Sequence, residues 1–172
     1  MRRVAILASA SGSGKTTLGR ELARRLEVPF HELDALHHGP DWTEATADEL
    51  RARVEPLVAE DAWVVDGAYR GKLGDLVLER AELVVWLDLP LRVWLPRLLR
   101  RTVSRIVRRE ELWNGNRETL RTVLFSRNSL IVYAFRAHFR HRQTYPAQLA
   151  RYTHVRLRSP REVERWLENA AK

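Results

Sequence analysis

Two hydrophobic periods alternate along this chain. Val4-Ala5-Ile6-Leu7-Ala8 is an unbroken apolar run and reads as a buried strand. From Thr17 to Leu26 the apolar residues recur at helical spacing. Val28 to Asp34 predicts a short second strand with Asp34 at its end, and Ala35 to Thr43, containing Gly39-Pro40, predicts a loop. A helix capped by Thr43 or Thr46 follows to about Glu60, with Leu50, Val54, Leu57 and Val58 on one face. Pro56 is expected to kink or shorten it. Ala62-Trp63-Val64-Val65 predicts a third strand ending at Asp66-Gly67, then a loop and a short helix through about Glu79. Glu82 to Asp88 predicts a fourth strand, whose apolar run suits burial on both faces.

Pro90 stands where a first helical residue is expected. In the helix it opens, Leu95, Leu98, Leu99, Thr102, Val103 and Ile106 form the predicted apolar stripe, and Arg97, Arg101, Arg105 and Arg108 share an adjoining face. Pro96 is expected to bend its first turns, and Trp113-Asn114-Gly115-Asn116 to end it. Helical spacing resumes from Arg117 to about His141, with a break near Ser126 to Ser129. Thr153 to Leu157 predicts a fifth strand, and Ser159-Pro160 opens a last helix ending near Ala170. Strands alternating with helices, without repeats or linkers, predict an α/β fold with a parallel sheet flanked by helices. The length of 172 residues suits one domain, residues 1–172, with a helical lid segment at about 97–142.

Between the first strand and first helix lies Ser9-Ala10-Ser11-Gly12-Ser13-Gly14-Lys15-Thr16. Strand, glycine-rich loop, Gly-Lys-Thr and helix are the context a phosphate-binding P-loop needs. Small residues let backbone N–H groups turn toward a polyphosphate, and the helix N-terminus adds its positive dipole end. Ser11, Gly12, Ser13, Gly14, Lys15, Thr16 and Thr17 are therefore the candidate nucleotide-binding residues. Lys15 would reach the β/γ-phosphates, and the Thr16 hydroxyl would ligate Mg²⁺. Ser9 stands where the first glycine of the motif is usual, which requires a backbone angle that tolerates a side chain.

The net charge of +8 is unevenly placed. Arg97 to Arg142 holds twelve Arg and three Glu, nine positive charges net, while the rest carries eighteen basic and nineteen acidic residues. A local basic field suits a polyanion: a nucleotide, a phosphorylated substrate or a nucleic acid. No Asp or Glu alternates with the arginines from Arg92 to Arg109, unlike a merely solvated helix. Arginines supplied by a closing lid stabilise a moving phosphoryl group, so Arg101 and Arg105 are the catalytic candidates there. The chain has no cysteine, which excludes disulfides, Cys-ligated zinc and a thiol nucleophile and fits a reducing, cytoplasmic setting. No apolar run approaches a membrane span.

Ligands of parallel sheets bind beyond the carboxyl ends of the strands, where Asp34, Asp66 and Asp88 fall with the P-loop. Asp34 is the candidate base for a phosphoryl acceptor, and Asp88 a candidate to hold metal-bound water or to cap a helix. Asp66, Tyr69 and Arg70 face the expected acceptor side, and Trp42 could stack on a ring or cover the core edge. His37-His38 and His138/His141 lack companions at a recognised metal spacing.

Gly12 to Thr17, Asp66-Gly67-Ala68-Tyr69-Arg70 and the arginines from Arg97 to Arg109 resemble the adenylate-kinase-like P-loop nucleoside and nucleotide kinases. More closely, Leu33 to Leu36, Trp63 to Tyr69 and Leu87 to Pro90 look like the bacterial family labelled DNA topology modulation proteins. The resemblance implies a P-loop NTPase three-layer α/β/α sandwich with sheet order 2-3-1-4-5. It also implies ATP–Mg²⁺ as donor, acceptor-phosphate binding by Arg70, and an adenine pocket partly built near Ser159-Pro160. Asp34-Ala35-Leu36-His37 lacks the Arg that nucleoside monophosphate kinases usually carry three residues after an acceptor-side Asp. The expectation is an ATP-dependent phosphotransferase acting on a small-molecule acceptor, a nucleotide or nucleoside first and another hydroxyl compound second. A regulatory NTP-binding protein that contacts nucleic acid through residues 97–142 is the alternative.

Overall fold

The computed structural model describes residues 1–117 and 130–170. Five parallel strands, β1 (Arg3–Ala8), β2 (Phe30–Glu32), β3 (Trp63–Asp66), β4 (Leu83–Leu87) and β5 (His154–Leu157), form one sheet in the order β2-β3-β1-β4-β5. β1 is central, so its alternate residues feed two cores. Val4, Ile6 and Ala8 point to α1 (Lys15–Leu26) and α8 (Pro160–Ala170), meeting Leu18, Leu22 and Trp166. Ala5 and Leu7 point the other way, into a core with Leu50, Val54 and Val58 of α3 (Ala47–Ala59) and Trp63 and Trp86 of the sheet. The result is a three-layer α/β/α sandwich.

α3 begins at Thr46, whose hydroxyl accepts from the Glu49 amide at 3.3 Å while the Glu49 carboxylate accepts from the Thr46 amide at 2.8 Å. Thr46→Ala is expected to lower stability by about 1 kcal/mol, read as a lower urea midpoint; an unmoved midpoint would mean this box adds nothing. Pro56 lies inside α3 without ending it. The carbonyl it leaves unpaired belongs to Ala52 on the exposed face, where water can satisfy it.

Three elements differ from the sequence reading. β2 stops at Glu32, and Leu33–His37 is a short helix, α2, so Asp34 sits in a first helical turn and not at a strand end. The predicted loop after it shrinks to the Pro40–Trp42 turn. On α6 (Leu91–Arg108) the buried stripe is Trp94, Leu98 and Thr102, whereas Leu99 and Val103 are 42% and 57% exposed. Trp94 has the largest apolar surface on the helix and rotates it toward the core, where it packs with Ala10, Leu98 and Ala134. The helix predicted from Arg117 to His141 lies partly outside the described residues; α7 spans Leu130–Leu149, because Tyr145 and Leu149, one turn apart, pack into the core beyond His141. Two further short helices, α4 (Arg70–Leu73) and α5 (Leu76–Arg80), link β3 to β4. No described helix is long and apolar enough to cross a membrane.

Candidate active site

The loop after β1 is shaped by two glycines with left-handed backbones, Gly12 (φ 81°) and Gly14 (φ 90°), the latter capping α1. A Cβ on Gly12 would lie 2.8 Å from the Trp94 carbonyl oxygen and 2.9 Å from Leu98 Cβ, so α6 packs directly on the loop. Ser9 keeps a negative φ, which explains why a side chain is tolerated there. Its buried hydroxyl accepts from the Trp86 indole (2.9 Å) and donates to Asp88 (2.9 Å). Ser13 is buried and donates to the Ala10 carbonyl at 2.8 Å, Ser11 is half-buried and Thr17 is exposed. Amides at a helix N-terminus beside an ammonium and a hydroxyl, here Lys15 and Thr16, are the groups that suit a polyphosphate.

Three carboxylates surround Lys15. In the parallel register Glu32 lies beside Asp66, and Asp66 is only 2% exposed. Lys15 pairs with Asp66 Oδ1, and the Thr16 hydroxyl donates to Asp66 Oδ2 at 2.6 Å. Burial works against the Lys15 ammonium, but Asp66, Asp34 and Glu32 outweigh it and hold its pKa above the ordinary value. Burial, reinforced by the charges of Asp66 and Asp34, pushes the Glu32 carboxyl up. Glu32 also stands 3.4 Å from Thr16 Oγ1, and the sequence reading missed it. Its signal was the i, i+2 spacing to Asp34, which on a strand running to Asp34 puts both carboxylates on one face.

Asp34 Oδ1 accepts a hydrogen bond of 2.6 Å from the Tyr69 hydroxyl. Burial first, and then the neighbouring Asp34 charge, raise the Tyr69 phenol, so it stays a donor. Tyr69 takes a left-handed φ of 45° at the start of α4, a conformation that costs a side chain about 1–3 kcal/mol and marks a constrained position. Asp34, Asp66 and Tyr69 are thus gathered around Lys15 at the carboxyl ends of β2 and β3. Arg101 and Arg105 are half-buried on α6 and engaged with neighbouring groups, while Arg97 and Arg108 are exposed.

Other expected site residues are held differently. Both Asp88 oxygens are committed: Oδ1 to Ser9 and to Arg142 at 3.2 Å, Oδ2 to Arg156 at 2.6 Å. A side chain so enclosed is a poor holder of metal-bound water, and it caps no helix, since Pro90 precedes α6 without a side-chain cap. Arg70 pairs with Asp75, which also takes Arg151, so an internal ion pair already occupies the guanidinium that the resemblance assigns to the acceptor's phosphate. Ser159 bonds reciprocally with Glu162 at the start of α8, the arrangement of a helix cap. Trp42 stands edge-on to His38. His37 is buried against Tyr69 and 3.4 Å from Glu44, and burial with the nearby Lys72 lowers its pKa; His141 stacks on Tyr145.

The family model described as shikimate kinase matches residues 11–47, from the phosphate loop past Asp34. No curated protein matches the chain significantly. Shikimate kinase from Bacteroides thetaiotaomicron is 16% identical with a TM-score of 0.59, covering 98% of this chain and 95% of that one. A gluconokinase from Sinorhizobium meliloti is 22% identical with a TM-score of 0.53, over 99% and 93%. Deoxyadenosine kinase from M. mycoides, solved with bound dCTP, is 11% identical with a TM-score of 0.55, over 96% and 97%. These likenesses give the fold of P-loop kinases. The family-model match adds that the stretch from the phosphate loop past Asp34 is similar to the corresponding stretch of shikimate kinases.

Proposed function

We propose that the chain transfers a phosphoryl group from ATP to a hydroxyl group of a small molecule, with Asp34 as the base. The observation that carries this reading is the Asp34 carboxylate, pinned through Oδ1 by Tyr69 and lying within the field of Lys15. ATP supplies the γ-phosphoryl group, with Mg²⁺ screening its charge. The loop fits that group: Gly12 to Thr17 offer amides, Lys15 an ammonium and Thr16 a hydroxyl for the metal. Asp34 Oδ2 would take the proton as the acceptor oxygen bonds to the γ-phosphorus and the bond from that phosphorus to the β,γ-bridging oxygen breaks, ADP keeping the electron pair as the leaving group. Asp66 and Glu32, beside Thr16, are the carboxylates that would face the metal's waters once Lys15 and Thr16 turn from Asp66 to the phosphates. Arg101 and Arg105 neutralise the moving group from α6.

A hydroxyl is preferred over a phosphate as acceptor because His37, not Arg, stands three residues after Asp34, and Arg70 is tied to Asp75. The names of the matched family and structural neighbours point the same way: shikimate, gluconate and deoxyadenosine all offer hydroxyl groups.

The test is ADP release from ATP–Mg²⁺ with shikimate, gluconate, deoxyadenosine, nucleoside monophosphates or DNA added singly. Stimulation by a hydroxyl compound is the expected result. Stimulation by monophosphates alone or by DNA alone overturns the reading.

A further inference from the structure

Beyond α6 the chain makes a turn, Trp113–Gly115, built like the one at Pro40–Trp42. Both contain left-handed residues: Asp41 and Trp42 in one, Asn114 and Gly115 in the other. Each is closed at its base by a single antiparallel bridge, His38 with Glu44 and Glu111 with Arg117. The two turns face each other. Asn116, 4% exposed, accepts from the Trp42 amide at 2.8 Å and donates to the Gly39 carbonyl at 2.8 Å and to the Trp113 carbonyl at 2.8 Å. Asn114 donates to the His38 carbonyl. The Trp113 ring stacks on His38 with centroids 5.9 Å apart and planes 21° apart, and its side chain reaches far enough toward Glu32 to offset part of the rise in that carboxyl's pKa. A carboxamide that reads both a donor and an acceptor of a neighbouring loop is matched to that loop. A lid that only brushed past would not bury one.

From this we infer that Asn116 is a positioning residue for the acceptor loop and Trp113 the specificity-determining ceiling of the acceptor cleft. The inference rests on the small-molecule kinase reading for its functional half only. The turn ties the end of the arginine-bearing helix to the loop that follows Asp34, so the two keep one relative position. Trp113 spans from His38 toward Glu32, which stands beside Thr16 and two residues before Asp34, so its ring borders the acceptor side of the site. Such a ceiling favours an acceptor with a flat ring or an apolar C–H face over an open-chain polyol.

Hydrogen exchange on the full chain tests the positioning role without any substrate. In Asn116→Asp, which keeps the size but turns a donor into a second acceptor against Gly39, residues 38–44 are expected to exchange about tenfold faster or more, with β1 and β4 unchanged. Asn116→Ala is expected to behave alike, and Trp113→Ala provides a milder second disturbance should the buried position prove intolerant. Unchanged exchange across 38–44 in every variant that folds overturns the clasp. With the acceptor identified by ADP release, Asn116→Asp should raise its KM about tenfold while the KM for ATP stays put. Equal change in both overturns the positioning role. Trp113→Ala should narrow the preference between deoxyadenosine and gluconate; an unchanged ratio removes Trp113 as a determinant. Clasp exchange as expected with no hydroxyl acceptor would instead count against the kinase reading alone.

Discussion

Asp34→Asn is expected to cost about 10²–10⁴-fold in kcat for the phosphorylated hydroxyl compound, the usual contribution of a positioned general base. The substitution keeps shape and can still accept from Tyr69, but it cannot take a proton. Its KM for ATP should stay close to the wild-type value, because Asp34 belongs to the acceptor half of the site. Steady-state kinetics with ATP varied at saturating acceptor, and the reverse, check both statements. Turnover within about tenfold of the wild type would mean that another group, or water, removes the proton. Tyr69→Phe makes a useful companion: it frees Asp34 Oδ1 from its 2.6 Å hydrogen bond while leaving the carboxylate in place. A partial loss is then the signature of orientation as opposed to proton transfer.

Lys15→Ala is expected to reduce phosphoryl transfer by about 10²–10³-fold, the scale for removing one preorganised electrostatic donor. It carries a second cost. Asp66, 2% exposed, would keep only the Thr16 hydroxyl, and stripping one partner from a buried ion pair costs about 3–5 kcal/mol. Activity must therefore be compared well below the melting point of the variant. Lys15→Arg separates the two effects: it keeps a cation beside Asp66, so stability should largely return, while its planar fork fits a phosphate cradle built for a point charge poorly. A Lys15→Ala variant with normal turnover would remove the phosphate loop from the reaction.

β1, β3 and β4 were legible as short apolar runs, β2 and β5 from the alternation of strands with helices, the sheet order only through the family resemblance, and the loop because glycine, lysine and threonine stand at a strand-to-helix junction. What was hidden depends on distance in sequence. Five residues, Leu33 to His37, are too few to display a helical period, so α2 read as strand end and loop. The rotation of α6 is set by Trp94 finding Ala10 and Ala134, partners far off in the chain. Asp88 looked like a ligand because it ends β4, yet its environment comes from Arg142 and Arg156, which no local pattern connects to it. Asn116 gave only the signal of a helix breaker; its bonds to Gly39 and Trp42 cross more than seventy positions.

The pairing of Lys15 and Thr16 with Asp66 has a consequence for how a nucleotide is gripped. The two side chains that serve the phosphates already rest on an anion of the protein's own, and the ammonium is never left uncompensated in a largely buried place. Lys15 and Thr16 must therefore let go of one negative partner to take another. Affinity for a polyphosphate measures the difference between two ion contacts, not the worth of one. A chain arranged this way gives up tightness for readiness: the loop keeps its shape between turnovers, and the spent nucleotide leaves to a competitor already in position.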